Sequence, residues 1–196
     1  MPILDPAECT LLLLNTSHYL SDQLAPSPPC NLSRCYRLIH AAALAAAVPV
    51  YTATCQDRPG NEQATSRGSL PNATYYYSSG MMRALWSDRG LAQNIVGTKR
   101  SCLILAGCWL EIDITFVALI ALADGFDAHV CFDASPSQHV ETRQIAIDRI
   151  LQAGAVPLCT AQMIHEWAER SPDDERRRAL LNLLASDQGA PIGAHA

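Results

Sequence analysis

Two carboxylates, Glu111 and Asp113, follow one of the least polar runs of the chain, in "LILAGCWLEIDITF" at 103–116. Acidic residues at the start of a helix have two uses. They can satisfy unpaired N–H groups and oppose the positive end of the helix dipole. Partly desolvated, one of them can instead hold or move a proton as a general acid or base. Cys108, just before them, is a small core hydrophobe or, with a lowered pKa, a nucleophile. Trp109 is an apolar wall, an interface residue or core. Asn15 closes an earlier apolar run, "TLLLLN", as a turn former or as a hydrogen-bonding ligand. Arg83 and Trp86, in "MMRALW", add a cation and a second candidate wall.

These residues need a scaffold, and the hydrophobic pattern supplies one. Strand-length apolar runs at Thr10–Leu14, Val48–Thr54, Ser101–Gly107, Ala128–Asp133 and Val156–Thr160 alternate with helix-period segments. The helices are expected near Leu32–Ala47, Asp88–Val96, Ile112–Asp124, Gln138–Ala153, Ala161–Arg170 and Asp173–Ala185. Continuous rather than alternating apolar strands belong to sheets covered on both faces. The expected fold is therefore a three-layer α/β/α doubly wound sheet, mostly parallel and Rossmann-like. In such a sheet ligands bind outside the strand carboxyl ends. That rule alone selects Asn15, Thr16 and Ser17, then Cys55, Gln56 and Asp57, then Cys108, Trp109, Glu111 and Asp113, and last Asp133, Ser135 and Ser137. No dinucleotide glycine fingerprint, P-loop, nucleophile elbow or HExxH motif occurs.

Residues 1–186 are expected to form one domain. Within it, 56–87 reads as a lid or interface loop, because it holds Pro59, Gly60, Pro71 and Gly80 with few helix signals. Residues 187–196 read as a flexible tail.

Composition narrows the function classes. Apolar content of 49 % with 17 % charged residues is a globular balance. A net charge of −5 gives no electrostatic footprint for nucleic acid, and Arg176–Arg178 is offset by Asp173, Asp174 and Glu175. No apolar run has the length of a membrane span or the flanks of a signal peptide. Eight cysteines without a secretion signal point to reduced thiols and a cytoplasmic setting. Cys30 and Cys35 lack the partners of a zinc set, so neither metal nor cofactor is expected.

The chain resembles the isochorismatase-like hydrolases, in particular a branch of small bacterial cysteine hydrolases. The resemblance rests on "TLLLLNTSHYL", "LAAAVPVYTATC", "LILAGCWLEIDITFVALIALADGFDAHVCFDAS" and "ETRQIAIDRILQAGAVPLCTAQMIHEW". It covers about residues 8 to 185 and is poor over 56–87. The resemblance implies the isochorismatase fold, a small-molecule substrate, a homo-oligomer, and C–N bond hydrolysis by Cys, Asp and Lys. The family Asp corresponds to Asn15. The family Cys, six residues past the glycine of the A-G turn, corresponds to Asp113. The single lysine, Lys99, starts the third predicted strand at its amino end, roughly 20 Å from the carboxyl end, and cannot be the family Lys. Arg83 is the nearest cation in the matching segment. Glu111 has an acidic counterpart in relatives and reads as structural.

Two readings follow from these replacements. In the first, Asp113 acts as acid/base, with Asn15 orienting substrate, Arg83 holding an anionic group, and Trp109, Trp86, Cys108 and Glu111 lining the pocket. In the second, the protein is an inactive ligand-binding or assembly subunit. Thiol hydrolysis through Cys108 or Cys55 is a third reading, weakened because neither stands at a helix N-terminus.

Overall fold

The computed structural model describes residues 3–15, 32–55, 70–78, 82–88 and 90–188. Strands β1 (Cys9–Leu14), β2 (Val50–Cys55), β3 (Ala73–Ser78), β4 (Cys102–Gly107), β5 (Asp127–Cys131) and β6 (Val156–Leu158) form one sheet in the order β3-β2-β1-β4-β5-β6. Every pairing is parallel. The helices are α1 (Leu32–Ala45), α2 (Met82–Asp88), α3 (Leu91–Gly97), α4 (Thr115–Ala123), α5 (Val140–Gln152), α6 (Thr160–Glu169) and α7 (Asp174–Gln188).

The unbroken apolar strands are explained by the two cores they feed. On β1, Cys9, Leu11 and Leu13 face the layer of α1, α6 and α7, where Ile39, Ile164, Trp167 and Leu180 pack. Leu12 and Leu14 face the other layer, with Leu85 of α2, Ile95 of α3, Val117 of α4 and Ile150 of α5. β4 divides in the same way, Ile104 and Ala106 to one side and Leu103 and Leu105 to the other. Each fully buried leucine contributes roughly 2–3 kcal/mol of transfer free energy, so both faces hold the sheet in register.

The order β3-β2-β1-β4 means that the chain winds outward from β1 to β3, then crosses back to the other side of β1. That reversal opens a crevice at the carboxyl ends of β1 and β4. Leu14 pairs with Gly107 at its floor.

The stretch 56–87 departs from the expected loop in two places. Ala73–Ser78 is an edge strand paired in register with Val50–Cys55, and Met82–Asp88 is a helix. Three consecutive tyrosines suit a half-buried pleated surface. Tyr75 and Tyr77 stack on one face at 6.2 Å, while Tyr76 packs on Tyr51 on the other. His40 of α1 bonds the Pro71 carbonyl at 3.1 Å and fixes the approach to the strand. Residues 56–69, 79–81 and 189–196, which include parts of the expected lid and tail, lie outside the described residues. No described helix is long and apolar enough to cross a membrane.

Candidate functional site at the strand switch point

Close backbone contact shapes the crevice. Gly107 has φ +138°, and a Cβ there would stand 2.1 Å from the Leu14 carbonyl oxygen. Only glycine permits this approach, which lets Cys108 N donate to Leu14 O at 3.0 Å. Asn15, the next residue of the first strand's chain, turns into the left-handed region at φ 49°, a conformation that Asn tolerates better than most residues.

Beyond Gly107 the peptide bond between Cys108 and Trp109 is cis. The chain then enters a π-helical turn at Leu110–Ile114 before α4 begins. Ile114 N donates to Trp109 O at 3.2 Å, closing the wide turn, and Leu110 N donates to Pro136 O at 2.8 Å. Thr115 Oγ1 donates to Leu110 O at 2.6 Å. The wide turn brings the Asp113 carboxylate inward, where the residue is 1 % exposed. Such turns frequently mark functional sites.

Asn15 and Asp113 meet there. Asn15 Nδ2 donates to Asp113 Oδ2 at 2.7 Å and to the Cys108 carbonyl at 2.7 Å. Its Oδ1 accepts from Cys55 N at 3.0 Å. One amide thus joins the carboxyl ends of β1, β2 and β4, and both its donor hydrogens and its carbonyl are engaged. The Cys55 and Cys108 backbone groups are contributions that residue types alone do not reveal. The strand-end rule named Asn15, Cys55, Cys108 and Asp113 as residues, and the structure joins them in part through main-chain atoms.

Glu111 turns away from this pair. Its Oε1 accepts from Gln138 N at 2.7 Å, tying the turn to the loop after β5. The buried Oε2 has no partner among the described residues. Cys108 is fully buried, and its side chain belongs to the core beneath α1 and α6. Trp109 is half-buried and packs against the same core.

Trp86 does not join the site. Its indole Nε1 donates to Asp124 Oδ2 at 2.8 Å, and its ring meets Phe126 edge-on at 6.2 Å. Asp124 caps the far end of α4, roughly 15 Å along the helix from Asp113. Burial of a large ring and the need to satisfy its N–H account for this placement, and the expectation of a pocket wall is corrected accordingly. Arg83 lies on α2, with its side chain outside the described residues, as are Thr16 and Ser17. Lys99 is exposed at the amino end of β4, away from the crevice.

Sequence reasoning also missed a structural clamp. Arg143 of α5 donates to Ser135 O and Phe132 O, both at 2.8 Å, and so holds the turn that follows β5. Asp133 in that turn accepts from Thr160 N at 3.0 and 2.9 Å and caps α6. The signal was present in "FDASPSQHVETRQIAIDR", where Arg143 follows the turn at one helical start. Arg143→Met should cost about 2 kcal/mol, since two part-buried carbonyls lose charged donors. Urea titration checks this, and an unchanged midpoint would show that the clamp is idle.

Comparisons with known proteins find relatives of this fold. The isochorismatase domain family matches residues 81–162, which carry β4, the π turn and the Arg143 clamp. The probable hydrolase YcaC of Escherichia coli K12 is 35 % identical over 89 residues, 45 % of this chain and 42 % of that protein, so the match spans under half of the relative's length. YcaC from Pseudomonas aeruginosa, solved with hexane-2,5-diol and covalent acrylamide, superposes with a TM-score of 0.74 at 23 % identity, covering 94 % of this chain and 93 % of that one. The Escherichia coli YcaC structure, described as an octameric hydrolase of unknown specificity, gives 0.69 at 23 % identity over 96 % and 97 %. The matched range supplies the β4 and π-turn side of the switch-point crevice, Asn15 and Cys55 lying outside it, and the fold is shared almost end to end with the YcaC structures: the chain is similar to the isochorismatase-like proteins.

Proposed function

We propose that the protein is a small-molecule hydrolase of the isochorismatase-like superfamily that works without the usual cysteine nucleophile, with Asp113 as its acid/base group. The observation that carries the reading is the 2.7 Å bond from Asn15 Nδ2 to Asp113 Oδ2, formed in a buried crevice at the strand switch point. These residues stand where the family resemblance puts Asp and Cys. A carboxylate kept in so apolar a surround is costly unless it is used, and Asn15 supplies the neutral donor that makes it tolerable.

In this reading Asp113 accepts a proton from an attacking water and later returns it to the leaving group. Asn15 is a positioning residue that fixes the carboxylate from the β1 side. Arg83, from α2, would hold an anionic group of the substrate. Trp109, beside the turn, supplies apolar contact. Glu111 orders the loop after β5.

Asp113→Asn should abolish turnover while leaving the fold intact. The screen is ammonia release from a panel of primary amides and hydrolysis of p-nitrophenyl acetate, run with wild type and variant. General acid–base contributions predict a loss of roughly 10²–10⁴-fold. Equal rates in both proteins would remove Asp113 from the chemistry. Asp113→Cys supplies a complementary check, because it should gain an acrylamide adduct at residue 113 that wild type lacks.

A second reading, an inactive binding subunit, is favoured by the mutual satisfaction of the Asn15 amide and the Asp113 carboxylate. Thermal stabilisation by small molecules with no turnover would support it. In either reading the protein is proposed to be a homo-oligomer, since the similar YcaC of Escherichia coli is octameric. Light scattering coupled to size-exclusion chromatography measures this directly.

A further inference from the structure

A second group of reactive side chains lies at the amino ends of the strands, away from the Asn15–Asp113 crevice. Cys9 of β1 and Cys102 of β4 are register partners on adjacent parallel strands, and their side chains enter the same core. Neighbouring strands place such partners about 4.8 Å apart at Cα. That spacing lies within the range a disulfide spans, about 4.4–6.8 Å.

The surroundings are unusual for buried thiols. The Cys102 sulfur lies 3.4 Å from His129 Nδ1, which also faces the Asp127 carbonyl at 3.2 Å. Cys102 adjoins Cys9 across the β1–β4 pairing. Trp167, fully buried in the same core, has an indole N–H with no hydrogen-bond partner among the described residues. Arg100 adds a positive charge, its guanidinium donating to Cys9 O at 2.8 Å and to Pro6 O at 2.7 Å. The adjoining Cys102 thiol, with the Arg100 charge, holds the Cys9 thiol below its ordinary range despite burial and the nearby Asp5 charge. Cys102 is pushed up by the adjoining Cys9 and by burial.

We propose that Cys9 and Cys102 are a peroxide-reactive dithiol that closes a reversible disulfide between β1 and β4. The Cys9 thiolate attacks one oxygen of hydrogen peroxide, breaking the O–O bond. Cys9 becomes a sulfenic acid and hydroxide leaves, taking a proton to become water. Cys102 sulfur then attacks the Cys9 sulfur, forms the S–S bond and releases a second water, its thiol proton going to the departing hydroxyl. Two thiols are oxidised by two electrons, and one peroxide is reduced to two waters. Cys9 is fully buried and Cys102 is 6 % exposed, so the oxidant must be small.

The test uses the native full-length protein exposed to hydrogen peroxide, followed by intact mass and peptide mapping. The expected product has lost two hydrogens, contains a Cys9–Cys102 linked peptide, and reverts with dithiothreitol. Glutathione disulfide, too large for this site, should modify exposed Cys159 and leave the pair as thiols. Cys9→Ser and Cys102→Ser should each remove the linked peptide. Mapping of wild type alone suffices if either variant folds poorly. Two free thiols at 9 and 102 after peroxide has oxidised Cys159, or a linkage between other cysteines, would overturn the proposal.

Discussion

Replacing Asn15 by Asp should destabilise the protein by about 3 kcal/mol at neutral pH, the scale of a buried charged group deprived of its partner. The substitution alters only one polar atom, yet it removes two donated hydrogen bonds. Asn15 Nδ2 serves both Asp113 Oδ2 and the Cys108 carbonyl, each at 2.7 Å. An ionised carboxylate at position 15 donates to neither and sets a second negative charge against Asp113. Two carboxylates so close cannot both ionise cheaply, and the pair retains a proton that the unfolded chain would release. The folded-state pKa of the pair is then raised above the unfolded value. Stability lost to the substitution is least below the unfolded carboxylate pKa and grows as pH rises through the folded one. At roughly 2–4 °C per kcal/mol, the melting temperature at pH 7 should fall by about 6–12 °C. A smaller deficit at pH 5 than at pH 8 is the signature of the shared proton. A pH-independent deficit would mean that repulsion is not its source. Adding Asp113→Asn should recover most of the loss, because one acid and one amide again face each other. Full recovery is not expected, since the introduced carboxylate still offers no donor to Cys108 O. This double-mutant cycle isolates the coupling between the two positions.

Gly107→Ala should be more damaging still. The added Cβ would lie 2.1 Å from Leu14 O, 2.6 Å from Leu14 N and 2.8 Å from Leu14 C. These are backbone atoms of the paired strand, so no side chain can swing aside. Relief requires β1 and β4 to separate at the point where both enter the crevice. A cost above about 4 kcal/mol is expected, together with little soluble native protein, which differential scanning calorimetry and soluble yield would show. Gly125→Ala is the control. It has φ +88° but open space around the new methyl, and should cost only about 1–2 kcal/mol from backbone strain. If Gly107→Ala melts no lower than Gly125→Ala, the close approach is softer than the structure indicates.

What could be read in the sequence tracks how local each cause is. The strands that became β1, β2, β4, β5 and β6 were visible because burial on both faces writes an unbroken apolar run into the chain. The strand at Ala73–Ser78 was hidden among Pro and Gly punctuation, although the Tyr75–Tyr77 run carried its β-propensity. The strand-end rule put Asn15 and Asp113 at one edge of the sheet, and the structure brings them together. The rule could not give the orientation of the Asn15 amide, which depends on Cys55 N and Cys108 O, main-chain atoms that sequence never distinguishes. The π turn was equally illegible. Its first N–H is held by Pro136, some twenty-six residues away in the chain, and helix periodicity says nothing about such a partner. Trp86 misled because its residue type suits a ligand wall as well as a core. The Asp124 acceptor that decides between them arises from tertiary packing.

The chain's three tryptophans are distributed in a way that makes the molecule optically self-reporting. Trp167 is buried in the layer of α1, α6 and α7, Trp86 in the opposite layer, and Trp109 stands half-buried beside the crevice. Variants retaining one indole each would give an emission signal for either face of the sheet and a third for the site. Coincident transitions of Trp86 and Trp167 would establish that both layers melt as one unit. Trp109 emission could meanwhile be followed during ligand titrations, free of signal from either core.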